Sequence, residues 1–385
     1  MMAVGTQDDT GVSSSIPFCK PWVGDEEADA VAQVLKSGWL SRGPKCEEFE
    51  AALCDFTGAK YAISLSSCTA ALHLALLCHN IGPGDEVLVP AMTFPATINA
   101  VLYTGAKPVL VDCWRDYNWD VCDAVKKLTR RTKATVGVDM HGSPCNAHIT
   151  LRSIPFIQDA AHSLGAVTAY GKVGSYANAT CLSFYATKNL TTGDGGALLT
   201  NKSEIAEKAR MLSLHGMDAG AWKRYSPESQ ETWQIGELGY KYNMTDIQAA
   251  IGIEQLKKLP KALDLRYQLA QEYDRFLQPL ADQGLITLPP RKGCWHLYAV
   301  RIHNTYCNKR DVVLKQLKER GIGCGVHFRS IEQHHFYQKR LGLKKITCPT
   351  AYTIGCETLS LPLYPQMSLF DVSQVCKTLQ EVLEG

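Results

Sequence analysis

The chain has 385 residues, enough for two domains that share a cleft, one larger than the other. Hydrophobic residues make up 45% and charged residues 20%, which excludes a disordered or fibrous protein. A formal net charge of +2 without a long basic run excludes the field that nonspecific nucleic-acid binding uses, although a few cations in a pocket would still hold a pyrophosphate.

The first fifteen residues, M-M-A-V-G-T-Q-D-D-T-G-V-S-S-S, are polar and carry acids, so they read as a loose tail and not as a signal peptide. No apolar run reaches the roughly 18 residues of a membrane-spanning helix, and no membrane partner is expected. Fifteen cysteines suggest a disulfide framework until their settings are read. Cys78, Cys181 and Cys376 lie in apolar or helical stretches, and neither a C-x-x-C pair nor a zinc-like Cys/His spacing occurs. Buried thiols, no metal and a reducing cytoplasm are therefore expected.

A helix is predicted over E-E-A-D-A-V-A-Q-V-L-K, with Asp25 as its N-cap and Gly38 at its end. The loop Gly38 to Pro44 follows, then a short helix from Cys46 to Phe56. From Lys60 to about Asn201, continuous apolar runs alternate with helical ones: E-V-L-V-P at 86–90, K-P-V-L-V-D at 107–112, A-T-V-G-V-D at 134–139 and I-P-F-I-Q-D at 154–159. Such runs are strands buried on both faces, so the fold class is α/β with a mainly parallel central sheet flanked by helices. Ligands collect beyond the carboxyl ends of such strands, where Asp112, Asp139 and Asp159 stand; the alternative for each is to satisfy loop or helix amides.

A helix near Ile247 to Leu259 precedes a second helical run, L-D-L-R-Y-Q-L-A-Q-E-Y-D-R-F-L. A smaller C-terminal α+β domain is predicted to start with this run. It has strands at W-H-L-Y-A-V-R-I and I-G-C-G-V-H-F, a helix at D-V-V-L-K-Q-L-K-E-R-G and a last helix from near Asp371. The division is a tail over 1–15, a large domain over 16–260 and a small domain over 261–385.

The chemistry centres on A-T-C-L-S-F-Y-A-T-K-N-L-T-T-G-D-G-G-A-L-L-T, which places Lys188 on a hairpin at the sheet end. Desolvation there lowers an ammonium pKa toward a nucleophilic amine, whereas most loop lysines are simply solvated. Asp159, at a buried strand end in I-Q-D-A-A-H, is suited to keep a pyridinium nitrogen protonated, as the electron sink of pyridoxal phosphate requires; a helix N-cap is the alternative. In S-L-S-S-C-T-A-A-L-H-L, Ser67, Cys68 and Thr69 precede an apolar helix whose N-terminus suits a phosphate, with Ser183 on the neighbouring strand; plain capping explains the segment as well. Phe94 follows a strand end and is placed to lie flat on a pyridine ring, or to pack as a core residue.

Seven segments together carry a resemblance: S-G-W-L-S-R-G-P, S-C-T-A-A-L-H-L-A-L, P-G-D-E-V-L-V-P-A-M-T-F-P-A-T-I-N-A, Q-D-A-A-H-S-L-G-A, S-F-Y-A-T-K-N-L-T-T-G-D-G-G, G-Y-K-Y-N-M-T-D-I-Q-A-A-I-G and S-L-P-L-Y-P. The chain resembles the DegT/DnrJ/StrS sugar aminotransferases, fold-type I pyridoxal-phosphate enzymes, from about Ile16 to its C-terminus. The resemblance implies Lys188 as Schiff-base lysine and proton shuttle, Asp159 on the ring nitrogen, Phe94 stacked on the ring and His162 near its phenolic oxygen. Thr69, the backbone of Cys68, and Ser183 would hold the phosphate. It also implies a homodimer in which G-Y-K-Y-N of the neighbouring subunit brings Asn243 or Lys241 to that phosphate. Three features depart from the family: many relatives have Asn and Arg where this chain has Lys241 and Asn243, Cys68 stands where glycine is frequent, and the stretch between Met140 and Gln158 is short.

The implied reaction moves an amino group from an amino acid, L-glutamate, through the pyridoxamine form of the cofactor to a keto sugar linked to a nucleoside diphosphate. H-G-M, G-Y-K-Y-N and G-V-H-F-R favour amination at C4, and His327 and Arg329 are candidates for the nucleotide-sugar end, with surface or interdomain roles as the alternative. A cyclitol or other cyclic ketone is a second acceptor class, and a ligand-sensing homologue without turnover a third reading. A family dehydratase would carry histidine at the Lys188 position, and a cysteine desulfurase would need a glycine-rich cysteine loop that the chain lacks.

Overall fold

Strands that are apolar on both faces need helices above and below them, and the computed structural model shows that arrangement. It describes residues 15–145, 154–217, 234–290, 293–303 and 308–384. The predicted tail, apart from Ser15, and the middle of the short stretch between Met140 and Gln158 lie outside the described residues.

The first part of the chain runs α1 (Asp25–Ser37), α2 (Pro44–Thr57), β1 (Tyr61–Leu65), α3 (Cys68–Cys78), β2 (Glu86–Pro90), α4 (Pro95–Tyr103), β3 (Lys107–Val111), α5 (Val121–Lys126), β4 (Thr132–Val138) and β5 (Phe156–Asp159). A small ribbon of β6 (Val167–Thr168) and β7 (Gly171–Lys172) leads to β8 (Ala179–Ser183), β9 (Gly196–Thr200) and α6 (Ser203–Leu212). The central sheet has seven strands in the order β1-β9-β8-β5-β4-β2-β3. Only β9 runs antiparallel to its neighbours, pairing Ser183 with Gly196 on one side and Leu65 with Gly196 on the other. The sheet ends that carry Asp159 and Ser183 therefore share one edge with the start of β9.

The sheet is held by burial of helix α3, whose Ala71, Leu72, Leu74, Ala75 and Leu76 are all within 1% of full burial. Each leucine contributes roughly 1.5–3 kcal/mol relative to an exposed one. Helix α1 begins one residue earlier in its capping than predicted: Gly24 is the N-cap and Asp25 the first helical residue, because Glu27 turns back to accept the Gly24 amide at 2.7 Å. Gly38 ends it with φ 74°, the left-handed cap that glycine adopts without strain.

Helix α7 (Asp246–Asp282) is continuous over 37 residues and passes through Pro260 and residue 261, where the sequence suggested a second domain to begin. Its first half packs Ala249, Ile253 and Leu259 under the large sheet, and its second half packs Leu269, Tyr273 and Leu277 into a separate core. That second core surrounds a three-stranded antiparallel sheet of β10 (Ile286–Thr287), β11 (Tyr298–Ile302) and β12 (Thr358–Leu361). Around it lie α8 (Asn308–Glu319) and α11 (Leu369–Glu384), while α9 (His335–Arg340) and α10 (Pro349–Glu357) pack Tyr337, Ala351 and Ile354 into the core of the large sheet.

One predicted strand is corrected. I-G-C-G-V-H-F makes only isolated bridges, Ile322 to Ile16 and Gly325 to Ser360, and the third strand is β12, which ends in the first two residues of S-L-P-L-Y-P. Glycine is the reason: a Cβ on Gly323 would overlap the Phe18 amide, so the stretch admits the leading segment, with the Gly323 amide donating to the Ile16 carbonyl at 2.7 Å.

Candidate active site

Of the three strand-end carboxylates, two are spent on the fold. Asp112 accepts the amides of Thr350 and Ala351 at 3.1 and 2.8 Å and so caps α10. Asp139 accepts from the Cys145 amide, Gln158 Nε2 and Ser163 Oγ. Asp159 alone lines the main cavity, of about 330 Å³, together with Lys188. No helix follows Asp159, so the N-cap alternative is set aside; the segment after it is a turn. A larger groove along α7, lined by Tyr267, Gln271, Asp274, Arg275, Gln278 and Trp295, holds neither group.

Lys188 sits in the β8–β9 connection, which is stitched shut by Phe184 N to Gly195 O and Thr192 N to Phe184 O, both 2.9 Å. The Lys188 amide itself donates to the Tyr185 carbonyl. Burial lowers its ammonium pKa to about 8, against the opposing pull of Cys68 and Asp159. A rigid, partly neutral amine results. Burial also pushes the Asp159 carboxyl up, while the Thr97 hydroxyl, the Ala161 amide and the charge of Lys188 draw it back down.

Helix α3 aims its N-terminus at the same space. Ser67 Oγ accepts the Ala70 amide, leaving the amides of Cys68 and Thr69 ahead of the first intrahelical acceptor. The start of β9 lies hard against this turn: a Cβ on Gly196 would overlap the backbone of Ser67 and Cys68. Ser183, at the end of β8, joins Ser67, Cys68 and Thr69 on the cavity wall.

The opposite wall is aromatic. His327 stacks on Phe18 with centroids 5.1 Å apart, Phe94 meets Phe328 at 5.3 Å, and His162 lies 4.4 Å from His296. Burial lowers all of these imidazoles, His327 to about 3, so they are neutral at pH 7. His162 accepts the His141 amide through Nδ1 at 3.3 Å, and in turn His141 Nε2 meets the His327 carbonyl at 2.8 Å.

The structure thus brings Cys68, Thr69, Phe94, Asp159, His162, Ser183, Lys188 and His327 to one cavity. Phe94 remains 54% exposed, on the open side. Arg329 is exposed and Asn243 lies beside Leu65 at the end of β1, and neither is on this wall within the single chain. Asn243 Oδ1 is buried without a hydrogen-bond donor among the described residues. Sequence reasoning missed Thr93, Thr97, Phe18, His296 and Phe328. Thr93 lies in the turn before α4 and Thr97 in its first turn, so no helical spacing linked them in the sequence, and nothing local pointed to His296.

Pyridoxal phosphate fits this set by its chemistry: an amine for its aldehyde, a carboxylate for its ring nitrogen, and a helix N-terminus with hydroxyls for its phosphate. Bound there, the cofactor supplies an electron sink for carbanion chemistry at an amino acid's α-carbon. A lysine and a carboxylate facing each other beyond the carboxyl ends of a mainly parallel sheet define a fold-type I pyridoxal-phosphate transferase.

The chain matches the DegT/DnrJ/EryC1/StrS aminotransferase family over residues 21–380 and belongs to that family. It is 41% identical over 383 residues to the spore coat polysaccharide biosynthesis protein SpsC of Bacillus subtilis, covering 96% of this chain and 97% of that one. The solved structure of the pyridoxamine-phosphate form of a sugar aminotransferase, Spr1654 of Streptococcus pneumoniae, superposes with a TM-score of 0.89 at 30% identity, covering 96% and 99% of the two chains. PseC of Helicobacter pylori, an aminotransferase of pseudoaminic acid biosynthesis, superposes with 0.87 at 30% identity, covering 96% and 100%. The present chain is a pyridoxal-phosphate-dependent aminotransferase.

Proposed function

We propose that the chain transfers an amino group from L-glutamate to C4 of a keto sugar linked to a nucleoside diphosphate. The observation that carries this reading is Lys188 and Asp159 on one cavity, with the amine lowered to about 8. A sugar acceptor is supported by relatives described as a sugar aminotransferase and as proteins of polysaccharide and pseudoaminic acid biosynthesis.

In this reading each side chain has one task. Asp159 holds the ring nitrogen of the cofactor, and Cys68, Thr69 and Ser183 hold its phosphate. Phe94 covers one ring face, and His162 meets the ring's phenolic edge. Lys188 would hold the cofactor through its amine, and its Nζ would hold and move the proton at the reacting carbon. The neutral, aromatic wall of Phe18, His327 and Phe328 excludes water and receives the acceptor, with His327 and Arg329 toward the nucleotide end. The enzyme works as a cytoplasmic homodimer, with Asn243 of each copy completing the phosphate site of the other.

The purified protein loaded with pyridoxal phosphate should show a visible band near roughly 410–430 nm, the range of a lysine-bound cofactor. Glutamate should bleach it, and Lys188→Ala should lack both the band and the response. A native protein without the band, or a variant that responds identically, overturns the assignment.

A further inference from the structure

Asp159 is held from behind by two buried hydroxyls. Thr97 is fully buried and Thr93 is 1% exposed. Thr97 Oγ1 donates to Asp159 Oδ2 at 2.8 Å, and Thr93 Oγ1 and Thr97 Oγ1 are 2.7 Å apart. A hydroxyl has one proton. With the Thr97 proton committed to the carboxylate, the hydrogen between the two threonines comes from Thr93, so the chain runs one way, Thr93 to Thr97 to Asp159.

This direction fixes the carboxylate. Oδ2 is taken by Thr97, whereas among the described residues Oδ1 has only the Ala161 amide at 3.3 Å and the Cys68 thiol at 3.8 Å. The other ionisable groups that act on Asp159 are Lys188, Cys181 and Asp139. We infer that Thr97, oriented by Thr93, is a positioning residue that keeps Asp159 an ionised acceptor and leaves Oδ1 for the ring nitrogen of the cofactor. Both threonines come from the start of α4 and its preceding turn, so the strand that bears Asp159 and the helix beside it act as one unit. The inference rests on the assignment of Asp159 to the ring nitrogen made above.

The test compares binding of pyridoxal phosphate with that of its 1-deaza analogue, which has carbon in place of the ring nitrogen, in the native protein and in Thr97→Val, Thr97→Ser and Thr93→Val. The native protein should prefer the nitrogen-bearing ring. Thr97→Val should erase about tenfold of that preference, the size expected for losing a hydrogen bond to a charged acceptor; Thr93→Val should erase less, and Thr97→Ser should keep it. In the holoenzymes, the rate of the glutamate half-reaction at saturation should fall in Thr97→Val with little change in the glutamate concentration needed, and Thr97→Ser should restore it. Equal loss of both ligands in Thr97→Val, or a fall in thermal stability alone, gives Thr97 a merely structural role and overturns the inference. A native protein that does not discriminate the ligands overturns it through Asp159, while its response to glutamate separately decides the proposed reaction.

Discussion

Lys188 becomes a nucleophile through its surroundings, since burial brings its pKa down to about 8 against the pull of Cys68 and Asp159. Below that pH the amine is protonated and unreactive. Capture of pyridoxal phosphate by the cofactor-free protein should therefore quicken through about pH 8 and level off above it, which stopped-flow absorbance would follow. The same shift has a stability consequence of definite sign. An unfolded lysine titrates near 10.4, so between about 8 and 10.4 the unfolded chain binds more protons than the folded one, and stability rises with pH in that window. Lys188→Met should remove this rise; a variant with the same pH slope as the native cofactor-free protein would show that Lys188 is not desolvated. Asp159 was legible in the sequence because it ends a buried strand before small residues, and Lys188 because it follows such a strand in a connection closed by Gly193, Gly195 and Gly196. His296 and Phe18 were not, since they reach the cavity from a second core whose docking no local pattern encodes.

Elements meet through their ends. Asp246, the first residue of α7, accepts the amides of Gly43 at 2.7 Å, Cys46 at 3.0 Å and Lys45 at 3.1 Å, so one carboxylate caps α2 from another helix. Its side chain is buried, and removing it strands these amides. Asp246→Ala should cost about 2–4 kcal/mol in denaturant unfolding, the sum of a lost cap and buried donors left without acceptors. Asp246→Asn, which keeps one carbonyl oxygen, should cost less than half of that. The helix starts and the parallel strands were readable from turn residues and continuous apolar runs. Strand β12 was not, because its four residues sit directly after a helix without a turn signal, and its partner β11 is far away in sequence.

At the scale of the molecule the cavity belongs to neither core alone. Lys188 and Asp159 come from the large sheet, His296 and His327 approach from the side of the small one, and Phe328 packs against the large-sheet core, with α7 passing through both. The G-Y-K-Y-N segment runs beside β1, where its Tyr240 and Tyr242 rings stack at 5.0 Å and flank His73. Asn243 stands at its end with a buried oxygen lacking a donor among the described residues of its own chain. If two copies share their sites through this segment, Lys188→Ala and Asn243→Ala damage different halves of each site. Mixing the two inactive proteins and letting subunits exchange should then restore activity. Half of the reassorted dimers are mixed, and each mixed dimer holds one site with an intact Lys188 facing an intact Asn243, so about a quarter of native activity should return. Were Asn243 to serve the site of its own chain, every site in the mixed dimer would carry one lesion and no activity would return. The mass of the native protein in solution, about twice the 42.4 kDa chain, is the companion measurement. A monomer that is fully active would end the shared-site proposal while leaving the Lys188 and Asp159 assignments standing.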